Sequence, residues 1–301
     1  MAPRTYTRLT RFALWALTAI VVTGGAVRLT GSGLGCSDWP TCEEDQFVAD
    51  LEYHALIEFV NRQFTGIVSI AVILAVVGSL RRRPRRSDLT WWSVGLVVGV
   101  LAQIVLGGLL VLTELDPRFT MGHFLLSMVL IWNAVVLDER ARITDPAARR
   151  PVVSGSHRNL IRAVSVVGAA LLVTGTIVTG AGPHSGDEDA ERLPFLVREV
   201  TRVHALVAMT LLVLVILTWR AVRGRPEAAD VNRKAVRVGA LLAVQGTVGY
   251  VQYFTGVPVL LVGIHILLAS LSWIEIVRLH LSIDVEPAEA AALGDRELVV
   301  T

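Results

Sequence analysis

Charge is what this chain has least of. Asp, Glu, Lys and Arg make up only 18% of its 301 residues, against 53% hydrophobic, and the mean hydropathy is +0.59. Soluble domains of this length are rarely so apolar, so the composition points to a polytopic helical membrane protein. Lysine is nearly absent: of 28 basic residues only Lys234 is one, which reads as the usage of a GC-rich genome rather than as a mechanism. Nothing resembles a nucleic-acid-binding module, and no nucleic-acid partner is expected. Cysteine is scarce too. Cys36 and Cys42 lie in one loop, six apart with Pro40 between them, and matter only if that loop faces an oxidising compartment. No small-x-small cleavage site follows the first apolar run, so an uncleaved first helix is expected rather than a signal peptide.

What the chain has in abundance is long apolar runs. Eight are read, near Phe12–Leu29, Leu56–Leu80, Trp91–Leu112, Phe119–Leu137, Leu160–Gly180, Val200–Trp219, Val238–Phe254 and Val257–Val277. Each is long enough to cross a bilayer as a helix. Arginines fill alternate loops: Arg81 to Arg86 after the second run; Arg140, Arg142, Arg149, Arg150 and Arg158 after the fourth; Arg220, Arg223, Arg225, Arg233 and Lys234 after the sixth. The other loops are acidic, with Asp38, Glu43, Glu44, Asp45, Asp50 and Glu52 in the first and Asp187, Glu188, Asp189 and Glu191 in the third. The positive-inside rule then places both termini in the cytoplasm and the cysteine loop outside, where the pair is either a structural staple or redox-active.

The most specific signal is an internal duplication. Gln103–Ser127 aligns without gaps on Gln245–Ala269 at an offset of 142, matching Gln103 with Gln245, Gly107 with Gly249, Thr113 with Thr255 and His123 with His265. Thr30-Gly31-Ser32-Gly33 and Thr179-Gly180-Ala181-Gly182 match loosely. Nearly the same offset pairs Asn61 with His204 and Glu58 with Thr201. The expected architecture is therefore all-α: eight transmembrane helices in two tandem four-helix bundles related by pseudo-two-fold symmetry. The divisions are 1–140, a linker at 141–158, a second half at 159–281 and a polar tail at 282–301.

Two histidines facing each other inside a four-helix bundle are a common way to hold a six-coordinate heme, and His204 with His265 fit that pattern; the alternative is interhelical hydrogen bonding. Zinc is disfavoured, because no thiol, carboxylate or third histidine accompanies them. The first half has His123, but Asn61 where its partner would be. Glu58 lies one turn before Asn61. It is either half of an i,i+4 ion pair with Arg62 or a group that takes protons or stabilises developing positive charge. Arg28, Arg62, Arg118, Arg198 and Arg202 are candidate partners for heme propionates. His54 is read as a partner of Glu58 or as solvated, His184 as a cap on the second-half site, and His157 and His280 as surface.

These residues assemble into a known pattern. Gly24-Gly25-x-Val27-Arg28-x-Thr30-Gly31-Ser32-Gly33-Leu34-x-Cys36-x-Asp38-Trp39-Pro40-x-Cys42 resembles the first-loop signature of the heme A synthase family, and Glu58-x-x-Asn61-Arg62 resembles its Glu-x-x-His-Arg element. Gln103…Leu106-Gly107-Gly108…His123-Phe124-Leu125, Thr179-Gly180-x-Gly182-Pro183-His184-x-Gly186-Asp187, His204-Ala205 and Gln252-Tyr253…Pro258…His265 match in the same way, so the resemblance runs from about Leu17 to His265. It implies an enzyme of the bacterial cell membrane that oxidises a methyl group of heme O to the formyl of heme A, with oxygen from water. It further implies heme b as cofactor on His204 and His265, Glu58 as the catalytic carboxylate, His123 as a ligand of the substrate heme, and a disulfide between Cys36 and Cys42. Arg28, Arg62 and Arg202 are the propionate partners singled out, a heme O synthase is the partner implied, and a homo-oligomer is left open. Asn61 departs from the family pattern, since an amide is a poor iron ligand. The competing reading is a bis-histidine cytochrome b that carries electrons, for instance to a quinone, without turning over a substrate.

Overall fold

The structure is a computed structural model that describes residues 1–36, 38–42, 48–49, 51–143, 150–187 and 189–285. Of the acidic and basic loop residues named above, Glu43, Glu44, Asp45, Asp50, Arg149 and Glu188 lie outside these, as does the tail beyond residue 285. The described residues form eight long helices: α1 (Pro3–Leu29), α2 (Tyr53–Arg81), α3 (Ser87–Leu112), α4 (Pro117–Arg142), α5 (Gly155–Ala181), α6 (Val197–Val222), α7 (Ala229–Phe254) and α8 (Val259–Leu281). A two-residue antiparallel pairing of β1 (Arg150–Pro151) with β2 (Asp284–Val285) ties the α4–α5 connection to the end of α8.

Seven of the eight helices are long and apolar enough to cross a membrane. At 1.5 Å per residue, a 26-residue helix reaches about 39 Å, beyond the roughly 30 Å of a hydrocarbon core. The exception is α7, which holds the expected span Val238–Phe254. Arg233, Lys234 and Arg237 occupy its first turns, and Gln245, Thr247, Gln252 and three glycines dilute the remainder. Gln245 and the glycine Gly249 recur below, because residues that lower the hydropathy of α7 also contact His265.

α1 packs on α2 and α4, and α3 on α4; α5 packs on α6 and α7 on α8, with α1, α4, α5 and α8 meeting where the halves join. Two apolar cores result. One runs through α1–α4 and takes in Ile274 and Val277 of α8, while the other lies among α5–α8. In the second half the buried side chains gather at the arginine-rich end: Leu211, Val215 and Val222 on α6, Ala229, Val231, Ala235 and Val238 on α7, Ile274 to Leu279 on α8. The helices are thus packed tightly at that end, and the histidines lie toward the other. Polar links span the join, from Trp273 Nε1 to the Met128 carbonyl (2.9 Å) and from Arg278 to Glu139 (3.2 Å).

The duplicated sequence makes duplicated turns. After α3, Glu114 (φ 52°) and Leu115 (φ 63°) both take the left-handed conformation; after α7, Gly256 (φ 79°) and Val257 (φ 59°) do the same. Leu115 N–H donates to the Leu110 carbonyl and Val257 N–H to that of Gln252, again at an offset of 142. Left-handed backbone is costly for residues with a Cβ, and for Leu115 burial of the side chain against Gly33 and Gly186 compensates.

At the arginine-rich end the carboxylate of Asp138 is fully buried. It accepts from Thr10 Oγ1 (2.9 Å) and pairs with Arg142, whose side chain is 39% exposed. Removing the guanidinium strands a buried charge, whereas removing the carboxylate leaves an arginine that can turn to water. Arg142→Ala is therefore expected to cost about 3–5 kcal/mol and Asp138→Ala roughly 1–3 kcal/mol, measured by unfolding of the purified protein in detergent.

Candidate functional site

The first-half site begins with a clamp. Glu58, 6% exposed near the start of α2, has both oxygens engaged: Arg62 donates to Oε1 from Nη2 (2.6 Å) and Nε (3.1 Å), and Cys36 N–H donates to Oε2 (2.8 Å). Arg62 also donates through Nη1 to the carbonyls of Asp38 (3.1 Å) and Thr41 (2.8 Å). One turn of α2 therefore holds the whole loop that the Cys36–Cys42 disulfide closes. The ion pair expected from spacing is present and does more than neutralise charge. Gly35 lies so close to the His54 carbonyl that a Cβ there would overlap backbone, so the loop approaches α2 as nearly as glycine allows.

Trp39 of this loop is laid on α3. A Cβ on Gly108 would meet its indole at 2.9 Å, while the neighbouring Gly107 faces the His123 imidazole, with a Cβ there 3.5 Å from Cε1. Cap, carboxylate and histidine are thus joined through two adjacent glycines. On the other side Asn61 of α2 meets α1: Thr23 Oγ1 donates to Asn61 Oδ1 (2.8 Å), and a Cβ on Gly24 would sit 4.0 Å from Asn61 Nδ2.

In the second half, Thr174 Oγ1 lies 3.0 Å from His204 Nδ1, and a Cβ on Gly175 would be 3.2 Å from His204 Cε1. A Cβ on Gly249 would be 3.2 Å from His265 Cε1. Each half repeats one polar contact: Gln103 Nε2 donates to the His123 carbonyl (3.0 Å), and Gln245 Nε2 to that of His265 (3.1 Å). Each half also leaves the same two atoms buried without a partner among the described residues, the Nδ1 of His123 and of His265 and the Oε1 of Gln103 and of Gln245.

These features fit an iron porphyrin. Glycine against each imidazole lets the ring lie close to the neighbouring helix, and none of the three Nε2 atoms has a hydrogen-bond partner among the described residues, which leaves each available to iron. Where Thr174 accepts from Nδ1–H, the lone pair at His204 Nε2 stands free for a metal. No group of three or more His, Cys, Asp or Glu suited to a bare metal ion occurs among the described residues.

Of the arginines, Arg28 donates to the carbonyls of His184 (2.7 Å) and Thr179 (3.1 Å), and Arg62 serves the clamp. Arg118 pairs with Asp116, whereas Arg198 and Arg202 are exposed with no partner among the described residues. His54 does not pair with Glu58; Ser32 Oγ meets its Nδ1 at 2.9 Å. His184 reaches the Val257 carbonyl (2.8 Å), bridging the third loop to the α7–α8 turn. His157 meets exposed Ser154. His280 is half-buried, as His157 is, and α8 packing on α5 brings it against Ser165 (3.0 Å). The sequence reading missed Thr23 and Thr174. Their signal is a second match, Thr23-Gly24-x-x-Val27 with Thr174-Gly175-x-x-Val178, two residues out of step with the Thr30/Thr179 match.

A multi-pass helical membrane protein with three half-buried histidines, each set against a glycine, is the class that fold and side chains define. The COX15-CtaA family, described as cytochrome oxidase assembly protein, matches residues 7–277, and the chain belongs to it. It is similar to the heme A synthases of Listeria monocytogenes and Listeria innocua, each 26% identical over 269 residues (85% of this chain and 88% of the relative). The heme A synthase of Shouchella clausii is 30% identical over 164 residues, 53% of this chain and 54% of that one.

Cys36 and Cys42 are 0% and 1% exposed beneath the clamped loop. Arg62→Ala removes the bonds to the Asp38 and Thr41 carbonyls and is expected to speed reduction of the disulfide by dithiothreitol about tenfold, followed by labelling of the released thiols with a bulky maleimide.

Proposed function

We propose that the chain oxidises heme O to heme A in the bacterial cell membrane. The observation that carries this reading, taken with the family match, is a difference between the halves: a threonine of α5 meets His204, whereas a threonine of α1 meets Asn61. His204 and His265 would then hold a resident group, and His123, with Asn61 in place of a second histidine, one that must leave. Heme b held by His204 and His265 would supply one-electron transfer. His123 would bind the substrate, and Glu58, close under the cap, would act on the methyl group. Conversion of methyl to formyl with oxygen from water releases four electrons and four protons, and a buried carboxylate beside the substrate is the group available to receive protons. A proton taken on Oε2 would weaken the bond from Cys36 N–H, which would link turnover to the disulfide loop. Exposed Arg202 is free to meet a propionate of the second-half heme; Arg28 and Arg62 would reach a propionate only by releasing backbone carbonyls.

The duplicated turns, glutamine bonds and threonine–glycine contacts support halves at 1–140 and 159–281 related by a pseudo-two-fold axis, joined at 141–158 and followed by the tail at 282–301. Arginine-rich loops support cytoplasmic termini, with α7 as an eighth span. A lipophilic substrate suits handover within the bilayer from a heme O synthase.

Coexpression with a heme O synthase, followed by heme extraction, is expected to yield heme A from the intact chain. Glu58→Gln should lower the yield at least about a hundredfold while heme b is retained, the loss expected of a proton-transfer group. His204→Ala and His265→Ala should each deplete heme b. Bound heme b with heme O unchanged in the intact chain would instead identify an electron carrier.

A further inference from the structure

We propose that Thr23 holds the Asn61 carboxamide with its NH2 group toward the open side of the heme bound by His123, so that Asn61 acts as a hydrogen-bond donor to a small oxygen or anionic ligand there. Thr23 is then its positioning residue. The inference rests on the reading that the first half binds heme O.

Thr23 Oγ1 carries one proton and has two acceptors near it: Asn61 Oδ1 at 2.8 Å and the Ile20 carbonyl at 3.3 Å. The shorter bond takes the proton. A carboxamide has one acceptor oxygen and one NH2 donor, so fixing Oδ1 on α1 leaves Nδ2 as the free end. Nδ2 has no acceptor among the described residues, and Gly24, the nearest α1 position, leaves it uncrowded. In the second half the corresponding threonine plays the opposite part toward a histidine. Thr174 donates to the Leu171 carbonyl (3.1 Å), is left to accept from His204 Nδ1–H (3.0 Å), and so exposes a bare Nε2, with Gly175 beside the ring. One threonine–glycine pair on α1 or α5 therefore orients the residue facing it on α2 or α6. With histidine it presents a lone pair; with asparagine it presents N–H. The first presents a ligand to a metal, and the second stabilises something else bound to it.

Fluoride is the probe, because it binds ferric heme only at an accessible position and is held more tightly by a nearby N–H donor. The full-length protein in detergent, carrying heme b and loaded with ferric heme O, is titrated with fluoride and read by the high-spin absorption bands and electron paramagnetic resonance. Asn61→Leu and Thr23→Val are each expected to weaken fluoride binding about tenfold, and Thr23→Ser to restore it. Asn61→His should close the position, giving a low-spin signal and no fluoride binding. Retained heme b reports that each variant is folded, and should Asn61→Leu fail that control, Thr23→Val with Thr23→Ser decides. Unchanged fluoride affinity in Thr23→Val with heme O bound would overturn the inference and leave the proposed function standing. Failure of the intact chain to bind heme O, or binding that survives His123→Ala, would overturn both.

Discussion

Hydrocarbon offers no water to a polar atom, so every such atom in these helices must find its partner within the protein. Most do so locally: threonines and serines bond back one turn, as Thr18 does to Leu14 and Thr218 to Leu214, and Asp138 is answered by Thr10 and Arg142. Against that thrift, buried groups left without partners stand out. Nδ1 of His123 and of His265, with Oε1 of Gln103 and of Gln245, are such groups, and they recur at one repeat spacing. Other buried atoms without a partner among the described residues, such as Asn133 Oδ1 and Ser272 Oγ, do not recur in this way, so it is the repetition that sets these four apart.

The other organising feature is the way the loops at the cysteine end interlock. Arg62 binds Glu58 and the disulfide loop together; Arg28 crosses from α1 to the third loop; Gly33 N–H donates to the Gly186 carbonyl (3.0 Å), and His184 reaches the α7–α8 turn. Two halves that share apolar contacts near the arginine-rich end are thus laced by backbone hydrogen bonds at the opposite end. Hydrogen bonds fix distance and direction in a way that apolar contact does not. The end that carries the histidines is accordingly the one where position is most tightly specified.

A duplicated scaffold lets one local rule be used for two purposes. Glycine beside an imidazole, glutamine on the histidine carbonyl and a threonine on the neighbouring helix recur in both halves, while Asn61 stands against His204 and Glu58 against Thr201. The threonine answers the change by reversing its role, donating to the Asn61 carboxamide in one half and accepting from the His204 ring in the other.

Much of this was legible in the residues. Apolar runs mark seven of the eight helices, since length and hydropathy are local properties; α7 is a helix as expected, but its polar residues keep it below the others. The offset of 142 located His123 and His265, and the spacing of Glu58 and Arg62 foretold their ion pair, because i,i+4 neighbours meet on any helix. The sequence by itself determined the helices, the duplication and the three histidines. Only the tertiary structure decided that Glu58 bonds to a half-cystine backbone 22 residues away, that Arg28 is occupied by carbonyls of the other half, and that Thr23 governs Asn61. Those contacts lie between elements remote in sequence, where helix packing and loop approach set the partner and no periodicity records it.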